Sequence, residues 1–115
     1  AWYTGNRNAT IGRFDPLTRS VTEFPMPDPA ARDPHTAEFD ENGIMWFSLQ
    51  GSNMIGRLDP ATGDVRLVPS PRANSRPYGV KIAADGTIWV ACNGANCLLR
   101  VAPDTMAVTE IALPE

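Results

Sequence analysis

Apolar and β-branched residues fall along this chain in short runs, and each run stops at a Gly, Pro, Asn or Asp. Runs of that length between turn formers read as β-strands. In the middle of the chain they predict strands at 36–39, 44–49, 54–59 and 65–68. Toward the C-terminus they predict strands at 79–83, 87–91, 98–101 and 108–111, and toward the N-terminus at 2–4, 10–15 and 20–24. No segment holds a helical period over about 11 residues or more. The pattern predicts an all-β chain.

The punctuation is specific. Asp40-Glu41-Asn42-Gly43 and Ala84-Asp85-Gly86 are tight-turn sequences in which Gly supplies a positive φ. Asp59-Pro60-Ala61-Thr62-Gly63 places Pro where φ near −65° is wanted and Gly where φ turns positive. Asp15-Pro16-Leu17-Thr18-Arg19 is the same turn without its Gly, and Asp15 and Asp59 are expected to cap their own turns. The longer connections, 25–34 and 69–77, are rich in Pro, Asp, Arg, Asn and Ser.

These strands and turns repeat. Trp2-Tyr3-Thr4, Trp46-Phe47-Ser48 and Trp89-Val90-Ala91 follow one another at intervals of 44 and 43 residues. Ile11-Gly12-Arg13-Phe14-Asp15-Pro16, Ile55-Gly56-Arg57-Leu58-Asp59-Pro60 and a diverged Leu98-Leu99-Arg100-Val101-Ala102-Pro103 keep the same beat. An interval of about 40–45 residues built from four short strands points to propeller blades. The repeats divide the chain at about 1–33, 34–76 and 77–115, and each long connection then crosses from the rim of one blade to the hub of the next. Nearly three blades fall short of the roughly four to eight that close a ring. Further blades of the same chain, or self-association, are therefore expected; a small self-contained open sheet is the other reading. The tryptophans are expected to fill the space between blades.

Ten basic and thirteen acidic residues leave a net charge of −3, and no stretch is a basic run. That composition argues against nucleic-acid binding. No window approaches the roughly 20 apolar residues of a membrane-spanning helix. Cys92 and Cys97, in Cys-Asn-Gly-Ala-Asn-Cys, admit two readings. One is a disulfide clamping a hairpin loop, favoured by the Asn93-Gly94 turn signal, which implies an oxidising compartment, periplasmic or secreted. The other is a pair of reduced thiols packed as small apolar groups.

Gly43-Ile44-Met45-Trp46-Phe47-Ser48, Asn53-Met54-Ile55-Gly56-Arg57-Leu58-Asp59-Pro60-Ala61-Thr62-Gly63 and Arg76-Pro77-Tyr78-Gly79-Val80 together resemble the repeat of the virginiamycin B lyase (streptogramin lyase) family. The resemblance covers nearly the whole chain. It implies a seven-bladed β-propeller, a small-molecule substrate, and metal-assisted elimination that opens the ester of a cyclic depsipeptide, with a His base and Mg2+. Related propellers share parts of the motif, so a non-catalytic propeller that holds a ligand or protein partner is the alternative.

Opening an ester by elimination takes a base for the proton α to a carbonyl and an electrophile for the developing enolate. The chain has one histidine, His35, in Asp33-Pro34-His35-Thr36 at the entry to an innermost strand. It is expected at the mouth of the central channel, with Tyr78 as its counterpart in the next repeat and Arg76 beside it. By resemblance His35 stands at the family's Pro-His site and Asp33 at the acidic position two residues earlier, which makes Asp33 the candidate metal ligand. Where the family carries a second carboxylate, this chain has Leu49 with Gln50 beside it. Two roles for His35 are thus open, the base or a polar wall of the channel. Glu38, Asp40 and Glu41 form an acidic group, with Asp40 and Glu41 expected to be solvated in their turn. Arg13, Arg57 and Arg100 recur once per repeat and are expected to bridge to an adjacent blade.

Overall fold

The computed structural model describes residues 2–5, 10–27, 34–72, 74–94 and 96–112. Among them eleven strands form three antiparallel sheets, and there is no helix. The first sheet holds β1 (Trp2–Gly5), β2 (Thr10–Asp15) and β3 (Ser20–Pro25). The second holds β4 (Pro34–Phe39), β5 (Met45–Leu49), β6 (Met54–Asp59) and β7 (Asp64–Pro69). The third holds β8 (Pro77–Ile82), β9 (Ile88–Cys92), β10 (Cys97–Val101) and β11 (Val108–Ala112). Each sheet is a meander in chain order.

The turn chemistry behaves as the sequence predicts. Asp15 and Asp59 each accept, through Oδ1, the backbone N–H two residues on, Leu17 at 3.0 Å and Ala61 at 3.0 Å. Gly43, Gly63 and Gly86 all have positive φ. Two strand starts differ by more than one residue. The strands predicted at 36–39 and 79–83 begin earlier, at Pro34 and Pro77, which pair with Leu49 and Cys92. Pro is tolerated at the first residue of a strand because no ladder N–H is required there.

The middle sheet is buried on both faces. All five residues of β5 are buried, and the strand's alternation sends them to two different cores. Met45, Phe47 and Leu49 face the first sheet and pack with Ile11, Phe24 and Leu58. Trp46 faces the third sheet and packs with Ile55, Val80, Ile88, Val90 and Leu99. At 1% exposure, Trp46 fills the space between neighbouring sheets as its repeat position predicts.

The register explains the repeat's second marker. Phe47 lies directly opposite Gly56, and a Cβ added to Gly56 would stand 2.1 Å from the Phe47 ring. The ring therefore lies across a strand that must lack a side chain there. In the first sheet Tyr3 opposes Gly12. In the third the pair is Val90 opposite Leu99. The divergence of the third Ile-Gly-Arg motif is thus a compensated exchange: the aromatic shrinks to Val where Gly grows to Leu.

The repeated arginines correct an expectation. Arg13 and Arg57 sit opposite Trp2 and Trp46 within their own sheets, with the guanidinium 5.5 Å and 6.0 Å from the indole ring. They make cation–π contacts across one sheet, and among the described residues no ion pair joins either to an adjacent blade. Asp40 also departs from the solvated role expected of it. Its carboxylate accepts the Trp46 indole N–H at 3.0 Å and the N–H groups of Asn42 and Ile44 at 2.9 and 3.0 Å. One side chain thus fixes both the turn and the orientation of the buried tryptophan.

The disulfide reading is also corrected, since Cys92 and Cys97 are free thiols. Cys92 ends β9, where it pairs with Pro77, and Cys97 opens β10, where it pairs with Ala112. The argument for an oxidising compartment loses its premise.

Gly56→Ala is expected to lower stability by about 1–3 kcal/mol through overpacking. In a Phe47→Val background the same substitution should cost less than half as much, because the ring it strikes is gone. Urea unfolding of the four chains checks this, and equal costs in both backgrounds would remove the proposed reason for the glycine.

Candidate functional site

The two innermost strands share an irregularity that the sequence reading did not foresee. Pro34 pairs with Leu49, but the next pair is Ala37 with Phe47, so His35 and Thr36 together face the single residue Ser48. In the third sheet Pro77 pairs with Cys92 and Val80 with Val90, so Tyr78 and Gly79 face Ala91. Each is a β-bulge of two residues against one, a device that re-aims side chains and leaves backbone groups unpaired.

The bulges bring His35 and Tyr78 together. Their rings lie 4.6 Å apart between centroids, tilted by 40°. His35 is half-buried and Tyr78 is 43% exposed. The His35 Nδ1 is 3.1 Å from the Thr36 hydroxyl, which limits how the imidazole turns. The two residues stand second in adjacent inner strands, β4 and β8.

Ser48 links the bulges. The N–H of Thr36, displaced from the ladder, donates to Ser48 Oγ at 3.2 Å. Ser48 Oγ in turn donates to the Tyr78 carbonyl at 2.7 Å. One hydroxyl therefore satisfies the bulge of its own sheet and that of the next. Ser48 is fully buried, and the sequence reading placed it only within the strand predicted at 44–49. Its signal was available: a lone polar residue in the apolar run Met-Trp-Phe-Ser-Leu needs a partner if that run is buried. In the third sheet the corresponding residue is Ala91.

Arg76 is placed by a different set of contacts. It is exposed, and its φ of 55° is unusual for a non-glycine residue. Its carbonyl accepts the Asn93 N–H at 2.9 Å, and the Ser75 carbonyl accepts the Gly94 N–H at 2.9 Å. The approach is tight, since a Cβ on Gly94 would come within 2.7 Å of Arg76 Cγ. Behind it a polar network folds the connection between sheets. Asn53 Oδ1 accepts from the Ser75 N–H at 3.1 Å and its hydroxyl at 2.7 Å, while Asn53 Nδ2 donates to the Arg72 carbonyl at 2.9 Å. The arginine is thus held by its backbone just before Pro77 and Tyr78, with its stem over Gly94.

Asp33, the metal ligand implied by the resemblance, lies outside the described residues. Among the described residues no three His, Cys, Asp or Glu side chains gather into a set that fits a metal ion.

Residues 1–114 match the family model described as the virginiamycin B lyase family. Solved structures agree. A virginiamycin B lyase from Staphylococcus aureus is 28% identical with a TM-score of 0.89 over 99% of this chain and 38% of that one. A streptogramin B lyase is 32% identical with a TM-score of 0.86 over 99% of this chain and 37% of that one. A catalytically inactive histidine-to-alanine variant of the Staphylococcus aureus enzyme, with quinupristin, is 27% identical with a TM-score of 0.87 over 98% and 37%. No curated protein sequence matches the chain. The chain spans about 38% of the length of the first of these structures. Its three sheets are consecutive blades, a part of a β-propeller.

Ser48→Ala is expected to cost about 1–3 kcal/mol, because the Thr36 N–H and the Tyr78 carbonyl lose their buried partner. The amide proton of Thr36 should exchange faster by nuclear magnetic resonance. Unchanged exchange at Thr36 would show that the bulge does not rest on this hydroxyl.

Proposed function

The chain belongs to the virginiamycin B lyase family, and from that premise we propose that it forms part of the channel mouth of a lyase that opens a cyclic ester by elimination. The observation that carries the reading is the His35–Tyr78 ring pair, presented on matched bulges at adjacent inner strands. In such an elimination a base removes the proton α to the carbonyl, the neighbouring carbon–oxygen bond breaks, the ester oxygen leaves as carboxylate, and an alkene forms. The linear product is an isomer of the ring.

His35 and Tyr78 form a polar and aromatic wall against which the substrate ring rests, with Arg76 at its lip. Thr36 holds the imidazole in place beneath this wall. The Mg2+ implied by the family has no fitting ligand set among the described residues. The base is assigned to another blade.

The test uses the full-length protein and a streptogramin B depsipeptide. The expected product is linear with unchanged mass; a gain of one water would mean hydrolysis, and intact substrate would favour a non-catalytic propeller. His35→Ala should raise KM with kcat little changed, by about tenfold in kcat/KM, or about 1.4 kcal/mol. A fall of about 10²–10⁴-fold in kcat would instead make His35 the base.

The remaining contacts of the ring belong to the same proposal. The face of the third sheet that carries Trp89, Leu98 and Ile111 is half-buried, whereas its equivalent, Trp46, is covered by the next sheet. A further blade covers this face in the intact protein. Trp46→Ala is expected to cost about 3–5 kcal/mol in any context. Trp89→Ala should match it in the intact protein and cost far less in the 115-residue chain alone. Equal effects in the short chain would count against a covering blade.

A further inference from the structure

The row of residues that carries Trp46 ends differently from its equivalents. Arg57 lies opposite Trp46 on one side and opposite Arg66 on the other. In the first sheet the recurrent arginine, Arg13, is opposite Thr22, and in the third Arg100 is opposite Thr109. The second sheet thus sets two cations directly across from each other, an arrangement that costs stability through repulsion. Arg66 Nε meets Asp64 Oδ2 at 3.0 Å, but both side chains are exposed, and such a pair offsets little. Arg57 rests over the Trp46 indole and forms no ion pair among the described residues.

A second departure from the repeat stands across from the first. The β2–β3, β6–β7 and β10–β11 turns correspond through their hydrogen bonds. In each, the N–H of a residue with positive φ (Arg19, Gly63 and Met106) donates to the carbonyl four residues back, that of Asp15, Asp59 and Ala102. Two residues before the donors stand Leu17, Ala61 and Asp104. The third sheet alone places an acid at this point, and its turn closes a cavity of about 310 Å³ against the second sheet. The second sheet contributes Arg57, Arg66 and Val68 to the lining, and the turn contributes Asp104 and Met106. No ion pair joins Asp104 to either arginine. Opposite charges therefore line one cavity without meeting.

We propose that this crevice between the second and third sheets binds a small α-amino acid with an apolar side chain. The ligand carboxylate takes the guanidinium pair, whose planar N–H forks match its two oxygens and whose mutual repulsion it relieves. The ammonium group takes Asp104. The side chain lies on Val68 and Met106, which also pack against the core between the sheets. A few convergent polar groups over apolar surface are the usual composition of a small-molecule site. Charges of both signs select a zwitterion over a simple anion. The crevice is built from β6, β7 and the β10–β11 turn, apart from the His35–Tyr78 pair, and the proposal stands independently of the lyase reading.

The experiment titrates the intact protein with L-leucine, with isocaproate, which lacks the amine, and with isoamylamine, which lacks the carboxylate. Calorimetry reads affinity, and the side-chain N–H signals of Arg57 and Arg66 read location by nuclear magnetic resonance. Leucine should saturate with a dissociation constant of about 1 mM and shift both arginine signals, and each analogue should bind about tenfold more weakly. Arg66→Thr and Asp104→Ala install residues that the other sheets carry at the same positions, so both chains should fold. Arg66→Thr should weaken leucine about tenfold, and Asp104→Ala should make leucine and isocaproate equivalent. Three results would each overturn the proposal: no saturation by leucine, undiminished leucine affinity in Arg66→Thr, or isocaproate binding the unsubstituted protein as tightly as leucine.

Discussion

One strand, β5, is buried on both faces, and the rest of the molecule is arranged by that fact. Its alternation gives Phe47 to one core and Trp46 to the other, so the second sheet holds both neighbours by burial of large side chains. Burying an aromatic residue of this size stabilises by several kcal/mol. The same crowding imposes the other local rules. Gly56 leaves room for Phe47, Asp40 engages the only polar atom of the Trp46 side chain, and Arg57 covers the indole from the opposing strand.

Ser48 is where packing becomes a site. A polar atom on a strand so thoroughly buried would be costly unless satisfied. It is satisfied twice, by one bulge on its own sheet and by another on the next. The bulges place His35 and Tyr78 in contact, so stability and site geometry share one hydroxyl. The polar connection from Ser70 to Arg76 works in the same way on the other side of Tyr78. Asn53, Ser70 and Ser75 fix its path, and an ion pair from Arg72 to Glu110 fastens it to the outermost strand of the third sheet.

Much of the fold was legible because strand, turn and repeat signals agree with one another. Turn capping by Asp15 and Asp59 follows from local chemistry, as does positive φ at the turn glycines. The burial of Trp46 between sheets follows from the repeat. The arginines misled because a recurrent cation invites a carboxylate partner, while strand register supplied an indole. Asp40 misled because a turn position hides a side chain that reaches six residues on to Trp46. The bulges were illegible: a period-of-two pattern contains no mark for the place where two residues face one.

By itself, then, the sequence determined the all-β class, the repeat interval, the turn types and the His35–Tyr78 correspondence, since these depend on local preferences and on spacing. Only the tertiary structure decided that Gly56 answers Phe47, that Arg57 lies over Trp46, that the cysteines are free thiols, and that Ser48 serves two sheets at once. Those facts arise from register and from packing between sheets. A side chain's partner there is fixed by which strand lies beside it and which face looks inward, and neither is recorded in any single stretch of residues.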